Sequence, residues 1–219
     1  EAHPSPPVRE LGLCFDTAAA SRAMADTELL ARTAVCAAAF AGSTYQAPNA
    51  AGIRVAYSAL LALAMGDTLA RFVPDLQWTP TSWGAVVAYV TAVPLVIAAL
   101  QVVLRRALLL GPLDFDHDDF ILYDPTWVQF VQTGILSPLL EEFLFRGLLP
   151  SFTGNFIASV VFAALHLNYK TKTNVLLLAV VAVATGAALP YVGLFAAIGF
   201  HAFGNLVSVL IVRQRHVSD

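Results

Sequence analysis

From Trp83 to Leu104 the chain carries no charged residue, and Arg105 with Arg106 closes the run. At about 20 residues per helical crossing, such a segment is long enough to span a bilayer. Four more apolar runs follow: Thr126 to Leu149, Phe152 to Leu167, Val175 to Leu189 and Leu194 to Val212. A weaker one, Ile53 to Val73, is interrupted by Arg54, Asp67 and Arg71, and is either a first crossing or an amphipathic helix lying in the interface. Pro94 falls inside the clearest run, where a membrane helix kinks rather than breaks. The composition agrees: 58% hydrophobic, 12% charged and a mean hydropathy of +0.71. A soluble domain carries about 25% Asp, Glu, Lys and Arg, so too few charges are left to cover a soluble surface. The runs are too long for strands, and the short alternating segments of a membrane barrel are absent. The expected fold is all-α, a polytopic membrane helical bundle of about six transmembrane helices.

Charge placement orients the bundle. Arg105 and Arg106, Lys170 and Lys172, and Arg213 and Arg215 sit at alternate ends of the runs. With six crossings these clusters share a face with Arg22 and Arg32, which puts both termini on the cytoplasmic or stromal side; Arg71 dissents. Residues 1–50 are expected to form a mostly irregular extension rich in Ala, Ser, Thr and Pro, with one short helix from Asp26 to Gly42. A first residue of Glu1 rather than Met is compatible with removal of an upstream targeting peptide, as for an organellar membrane such as the thylakoid. Residues 51–125 then form a helical pair with an acidic loop, 126–212 the helical core, and 213–219 a basic tail. The loop from Asp114 to Asp124 lacks the Gly and the terminal Glu of a calcium-binding loop and reads as a solvated connector. A net charge of −3 argues against nucleic acid as a partner. Cys14 and Cys36 fit no metal spacing.

Ionisable groups inside an apolar run cost at least a few kcal/mol, so each needs a reason. Three sets stand out: Glu141, Glu142 and Arg146 in Glu-Glu-Phe-Leu-Phe-Arg; His166 at the end of Phe-Ala-Ala-Leu-His; and His201 with Asn205 in His-Ala-Phe-Gly-Asn. Glu142 and Arg146, four apart, suit a structural ion pair. Glu141 lies about 100° further round the helix and is free to point elsewhere. His201 and Asn205, again four apart, share a face. Bundled together, these groups supply a general base, a second base or orienter, and donors for a developing oxyanion, with water as the attacker.

The stretches EEFLFRGLLP, VVFAALHL and GLFAAIGFHAFGNLVSVLIV, in that order on successive membrane helices, resemble the CAAX protease and bacteriocin-processing family, also called Abi, which includes the type II CAAX prenyl endopeptidases. The resemblance implies glutamate-dependent, metal-independent intramembrane proteolysis without a cofactor. Glu141 and His166 would then activate the water, His201 and Asn205 would hold the oxyanion, and Arg146 would be structural, paired with Glu142. The intervals from Glu141 to His166 and from His166 to His201 are compact beside the prenyl endopeptidases, which leaves little room for a prenyl chain. The substrate is expected to be a peptide or protein met at the membrane lipid.

Other readings of the same residues stay open. His166 near a helix end can snorkel to the interface, and His201 with Asn205 can act as interhelical packing glue. Two His and a Glu are adequate zinc ligands, although no His-Glu-x-x-His is present. Buried His, Glu or Asn can also ligate a pigment, although Leu144 occupies the position where that ligand would be wanted. A different class of function is a non-catalytic scaffold, a subunit of a large organellar and conceivably photosynthetic complex whose other subunits contact residues 1–50.

Overall fold

The computed structural model describes residues 17–44, 51–108, 127–167 and 172–218, and every regular element among them is a helix. The chain is thus the all-helical bundle expected. α1 covers Thr17–Thr44, α2 Ala51–Phe72 and α3 Trp83–Leu108. Next comes a long composite helix made of α4 (Trp127–Val131), a first π segment (Gln132–Leu136), α5 (Ser137–Glu142) and a second π segment (Phe143–Leu148). α6 (Pro150–Ala164), α7 (Lys172–Val192) and α8 (Leu194–Ser218) complete it. Three spans, Gly52–Phe72, Trp83–Leu100 and Val175–Val192, are long and apolar enough to cross a membrane, and Pro150–Ala164 and Leu194–Val207 are shorter apolar helices, so the count of about six crossings is approximate. The acidic loop and Lys170 lie outside the described residues.

One expectation needs correction. Much of the extension over residues 1–50 is not irregular, because α1 occupies Thr17–Thr44 rather than a short stretch from Asp26. The run Ala18-Ala19-Ala20 and Ala23 carries strong helix propensity and extends the helix towards its start. Leu29, Thr33 and Cys36, spaced on one face, are buried where α1 packs on α2. On the same seam Arg32 reaches Glu28 at 2.8 Å and Asp67 at 3.9 Å and lies over the Phe72 ring.

α2 is the inner wall of the bundle. Ser58, Met65 and Leu69 are wholly buried, and α2 runs parallel to the composite helix. Ser58 receives a hydrogen bond from Gln132, Gly66 meets the Phe143 ring, and Gly147 meets Leu69. A Cβ on Gly147 would come within 2.6 Å of Leu69 Cδ2, so the glycine is what lets the two helices close. α3 instead turns Trp83, Val87, Leu95 and Val103 outward, an apolar face that suits lipid, and, among its described side chains, buries Tyr89 and Val93 against Val192.

The loop between α2 and α3 fastens the start of α8. The first N–H groups of a helix lack partners of their own, and here Leu194 N–H donates to Gln77 O at 2.8 Å and Phe195 N–H to Trp78 O at 3.0 Å. Thr81 N–H returns a bond to Tyr191 O at 3.0 Å. Trp78 packs between the Phe143 and Phe195 rings. The α7–α8 turn at Gly193 has φ +76°, and a Cβ there would stand 2.5 Å from the backbone carbon of Thr79. Gly193→Ala is therefore expected to lose roughly 2–5 kcal/mol, combining left-handed strain with a backbone clash that no rotamer relieves. A thermal melt in detergent measures it, and an unchanged melting temperature would contradict the close approach.

The composite helix has a repeated construction. In the first π segment, Ser137 N–H donates to Gln132 O, five residues back. The next donor in that register would be residue 138, for Thr133 O, but Pro138 has no N–H. Thr133 O takes the side chain of Asn205 instead, at 3.1 Å. In the second π segment Leu149 N–H donates to Leu144 O at 2.8 Å, and Pro150 cannot donate to Phe145 O. That carbonyl takes Arg146 Nη1, at a long 3.4 Å. Each proline thus leaves a carbonyl that a polar side chain of the site takes up.

Candidate functional site

The carboxyl pair ends α5, between the two π segments, and α8 brings His201 to it. Adjacent residues on a helix point about 100° apart, yet both carboxylates reach one imidazole, because its nitrogens present two edges. Glu142 Oε1 lies 2.9 Å from His201 Nδ1, and Glu141 Oε2 lies 3.6 Å from His201 Nε2. Glu141 therefore does not point away from its neighbour, as its helical phase had suggested; the two share His201. An ionised carboxylate only accepts, so the short contact places a proton on Nδ1 and leaves Nε2 as the nitrogen facing Glu141.

Glu141 and Glu142 are differently held. The Glu142 side chain is 4% exposed, enclosed by His201 and by Arg146, whose Nε stands 3.7 Å from Glu142 Oε2. That separation is an ion pair without a hydrogen bond, and both atoms lack a hydrogen-bond partner. Arg146 is 2% exposed and its guanidinium lies 5.2 Å from the centre of the Phe162 ring, a cation–π contact in place of solvent. Glu141 is more open, at 12% side-chain exposure, and its Oε1 accepts the Ser137 hydroxyl at 2.7 Å. Its other oxygen and His201 Nε2, at 3.6 Å, are too far apart to bond directly and close enough for one water to bond both.

His166 and Asn205 sit around this pair. His166 Nδ1 lies 2.8 Å from Phe162 O, and a carbonyl only accepts, so Nδ1 carries a proton and the neutral ring has its basic nitrogen at Nε2. The His166 ring packs at 4.7 Å on Phe162, which also meets His201 at 6.1 Å and Phe145 at 5.2 Å. Phe162 is thus the hub on which both histidines and Arg146 rest. Asn205 commits one N–H to Thr133 O and keeps a second. The structure brings Glu141, Glu142, Arg146 and His201 into one cluster, with Asn205 one turn along α8 and His166 joined to the cluster through Phe162.

Ser137, Phe162 as a hub, and the Thr133 carbonyl were not among the residues singled out from the sequence. Ser137 was findable, being four residues before Glu141 on one helical face. Nothing in the residue pattern marks Thr133, which contributes only backbone. Among the described residues no group of three His, Cys, Asp or Glu is arranged to hold a metal ion.

Residues 123–207 match the family model described as type II CAAX prenyl endopeptidase Rce1-like. The match spans the composite helix, α6, α7 and the part of α8 that carries His201 and Asn205, under half of the chain. No curated protein and no solved structure matches the chain.

Proposed function

Taking the Rce1-like domain of residues 123–207 as the premise, we propose that this membrane protein is an endopeptidase in which Glu141 takes a proton from the attacking water. The observation that carries the reading is the Glu141–His201 pair, whose two facing acceptors stand 3.6 Å apart at the more open edge of an otherwise closed cluster. A water held there offers one hydrogen to Glu141 Oε2 and one to His201 Nε2, and its oxygen attacks the peptide carbonyl carbon. The proton taken by Glu141 passes to the leaving amine. Glu142 orients His201 through Nδ1, and Arg146 balances the Glu142 charge. His166 serves as second base, and the remaining N–H of Asn205 meets the oxyanion, while His201, whose Nδ1–H is committed to Glu142, holds the water. No metal ion or other cofactor enters these steps. The substrate class is a membrane-bound peptide, and the short Glu141–His166 and His166–His201 intervals favour one without a prenyl chain. The Lys and Arg excess at alternate helix ends supports termini on the cytoplasmic or stromal side.

The test is cleavage by the purified protein in liposomes of a prenylated CAAX peptide and its unprenylated twin, with and without a zinc chelator. Cleavage that persists in chelator is the expected result. Loss of activity on chelation would overturn the metal-independent mechanism. No cleavage of either peptide by a folded protein would favour the scaffold reading.

A further inference from the structure

The carboxyl pair depends on rotational phase. Upstream, the composite helix is fixed on α2 by the bond from Gln132 to the buried Ser58 hydroxyl, 2.9 Å long. Downstream it is fixed on the same helix by Phe143 against Gly66 and Gly147 against Leu69. A π segment adds one residue to a turn, so replacing it with α-helix turns everything beyond by about 100° relative to everything before. Ordinary winding through residues 132–136 would therefore carry Glu141 and Glu142 off His201 for as long as Gln132 stays on Ser58. The extra residue has a cost, because it leaves a carbonyl unpaired in a dry interior.

We propose that Pro138 is a positioning residue for Glu141 and Glu142: its ring cannot sit against the Gly134 carbonyl four residues back, which disfavours ordinary winding and keeps the first π segment open, and its missing N–H leaves the Thr133 carbonyl to Asn205. Three features of the structure carry this. Ser137 N–H already donates five residues back, to Gln132 O, so position 138 is the donor due for Thr133 O. Pro138 is wholly buried and lacks the donor. Asn205 Nδ2 occupies Thr133 O at 3.1 Å, one helical turn from His201, which ties the imidazole's height along α8 to the same carbonyl. With the ring gone and an N–H at position 138, ordinary winding is open: residue 138 donates to Gly134 O and Ser137 to Thr133 O, Asn205 loses its acceptor, and both the phase of the carboxylates and the seat of His201 relax. The effect on turnover rests on the proposed peptidase activity; the effect on stability does not.

The experiment combines Pro138→Ala, Pro138→Val and Asn205→Ala, singly and as the double variant Pro138→Ala/Asn205→Ala, in the full chain, with melting temperature and cleavage kinetics both read. Asn205→Ala alone is expected to lower the melting temperature by about 5 °C, because it strands a buried carbonyl. In the Pro138→Ala background the same change is expected to cost less than half of that, since the carbonyl then has its own N–H. Additive melting shifts would overturn the proposal whether or not the protein cleaves anything. For the active protein, Pro138→Ala and Pro138→Val are both expected to lower kcat about tenfold or more with KM little changed. Valine, which regains the N–H but keeps most of the side-chain volume, separates the N–H from the lost ring volume of the alanine variant. Wild-type kcat in both variants would overturn the proposal. Cleavage by neither wild type nor variants would defeat the peptidase reading and leave the melting data to decide this one.

Discussion

Glu141→Gln is expected to reduce kcat by about 10²–10⁴-fold while leaving the melting temperature close to that of the wild type. The amide keeps the size of the carboxylate and still accepts the Ser137 hydroxyl through its oxygen, so the local geometry, with Ser137 at 2.7 Å, survives. What it loses is the capacity to take a proton from water at the edge facing His201. Glu141 lies beside the ion pair and outside it, at 12% exposure against 4% for Glu142, so its charge is not what holds the bundle together. Single-turnover cleavage of a membrane peptide measures the effect, and a variant that turns over at the wild-type rate would exclude Glu141 as the base.

The adjacent substitution has the opposite signature. Glu142→Gln leaves Arg146, 2% exposed, as an uncompensated buried cation with a single long hydrogen bond to Phe145 O and one aromatic face. Breaking a buried pair in this way costs about 3–5 kcal/mol, which for a chain of this size shifts the melting temperature by roughly 10 °C. It also replaces an acceptor-only carboxylate beside His201 Nδ1 with an amide that can present either oxygen or N–H, so the His201 tautomer is no longer fixed and activity falls along with stability. Replacing both partners, Glu142→Gln with Arg146→Met, is expected to recover much of the stability and none of the orientation of His201. Melting curves of the single and double variants check this, and equal melting temperatures for wild type and Glu142→Gln would refute the ion pair.

How far this was legible in the sequence varies by residue type. The helices could be read because each apolar run is longer than any strand and because the bilayer demands such lengths. The polar residues could be read because charge in an apolar run is costly and its presence needs a cause. The limits came from backbone. The roughly 100° between Glu141 and Glu142 holds within α5, but phase alone does not show that one imidazole meets both on its two edges. The two π segments, which set the face of the pair relative to α2, have no residue pattern of their own beyond the prolines that follow them. Pro138 and Pro150 were the available signs. A proline after a π segment, lacking its own N–H, releases the carbonyl five residues back, not the usual four, so that carbonyl is easily assigned to the wrong residue. The start of α1 escaped for a related reason. Its Ala and Ser composition resembles a tail, and only the buried stripe of Leu29, Thr33 and Cys36 against α2 shows that it is packed.

On the proposed peptidase reading, the bonds from Leu194 and Phe195 to the carbonyls of Gln77 and Trp78 bear on how a substrate embedded in lipid would reach the cluster. Such a molecule has to arrive sideways, through a parting between helices. The first turn of α8 is stitched to the loop before α3 by main-chain bonds, and Thr81 stitches that loop back to the end of α7. Parting these pieces would break all three main-chain bonds at once, which disfavours an opening along that seam. The helix that carries His201 is thus tied down at its beginning.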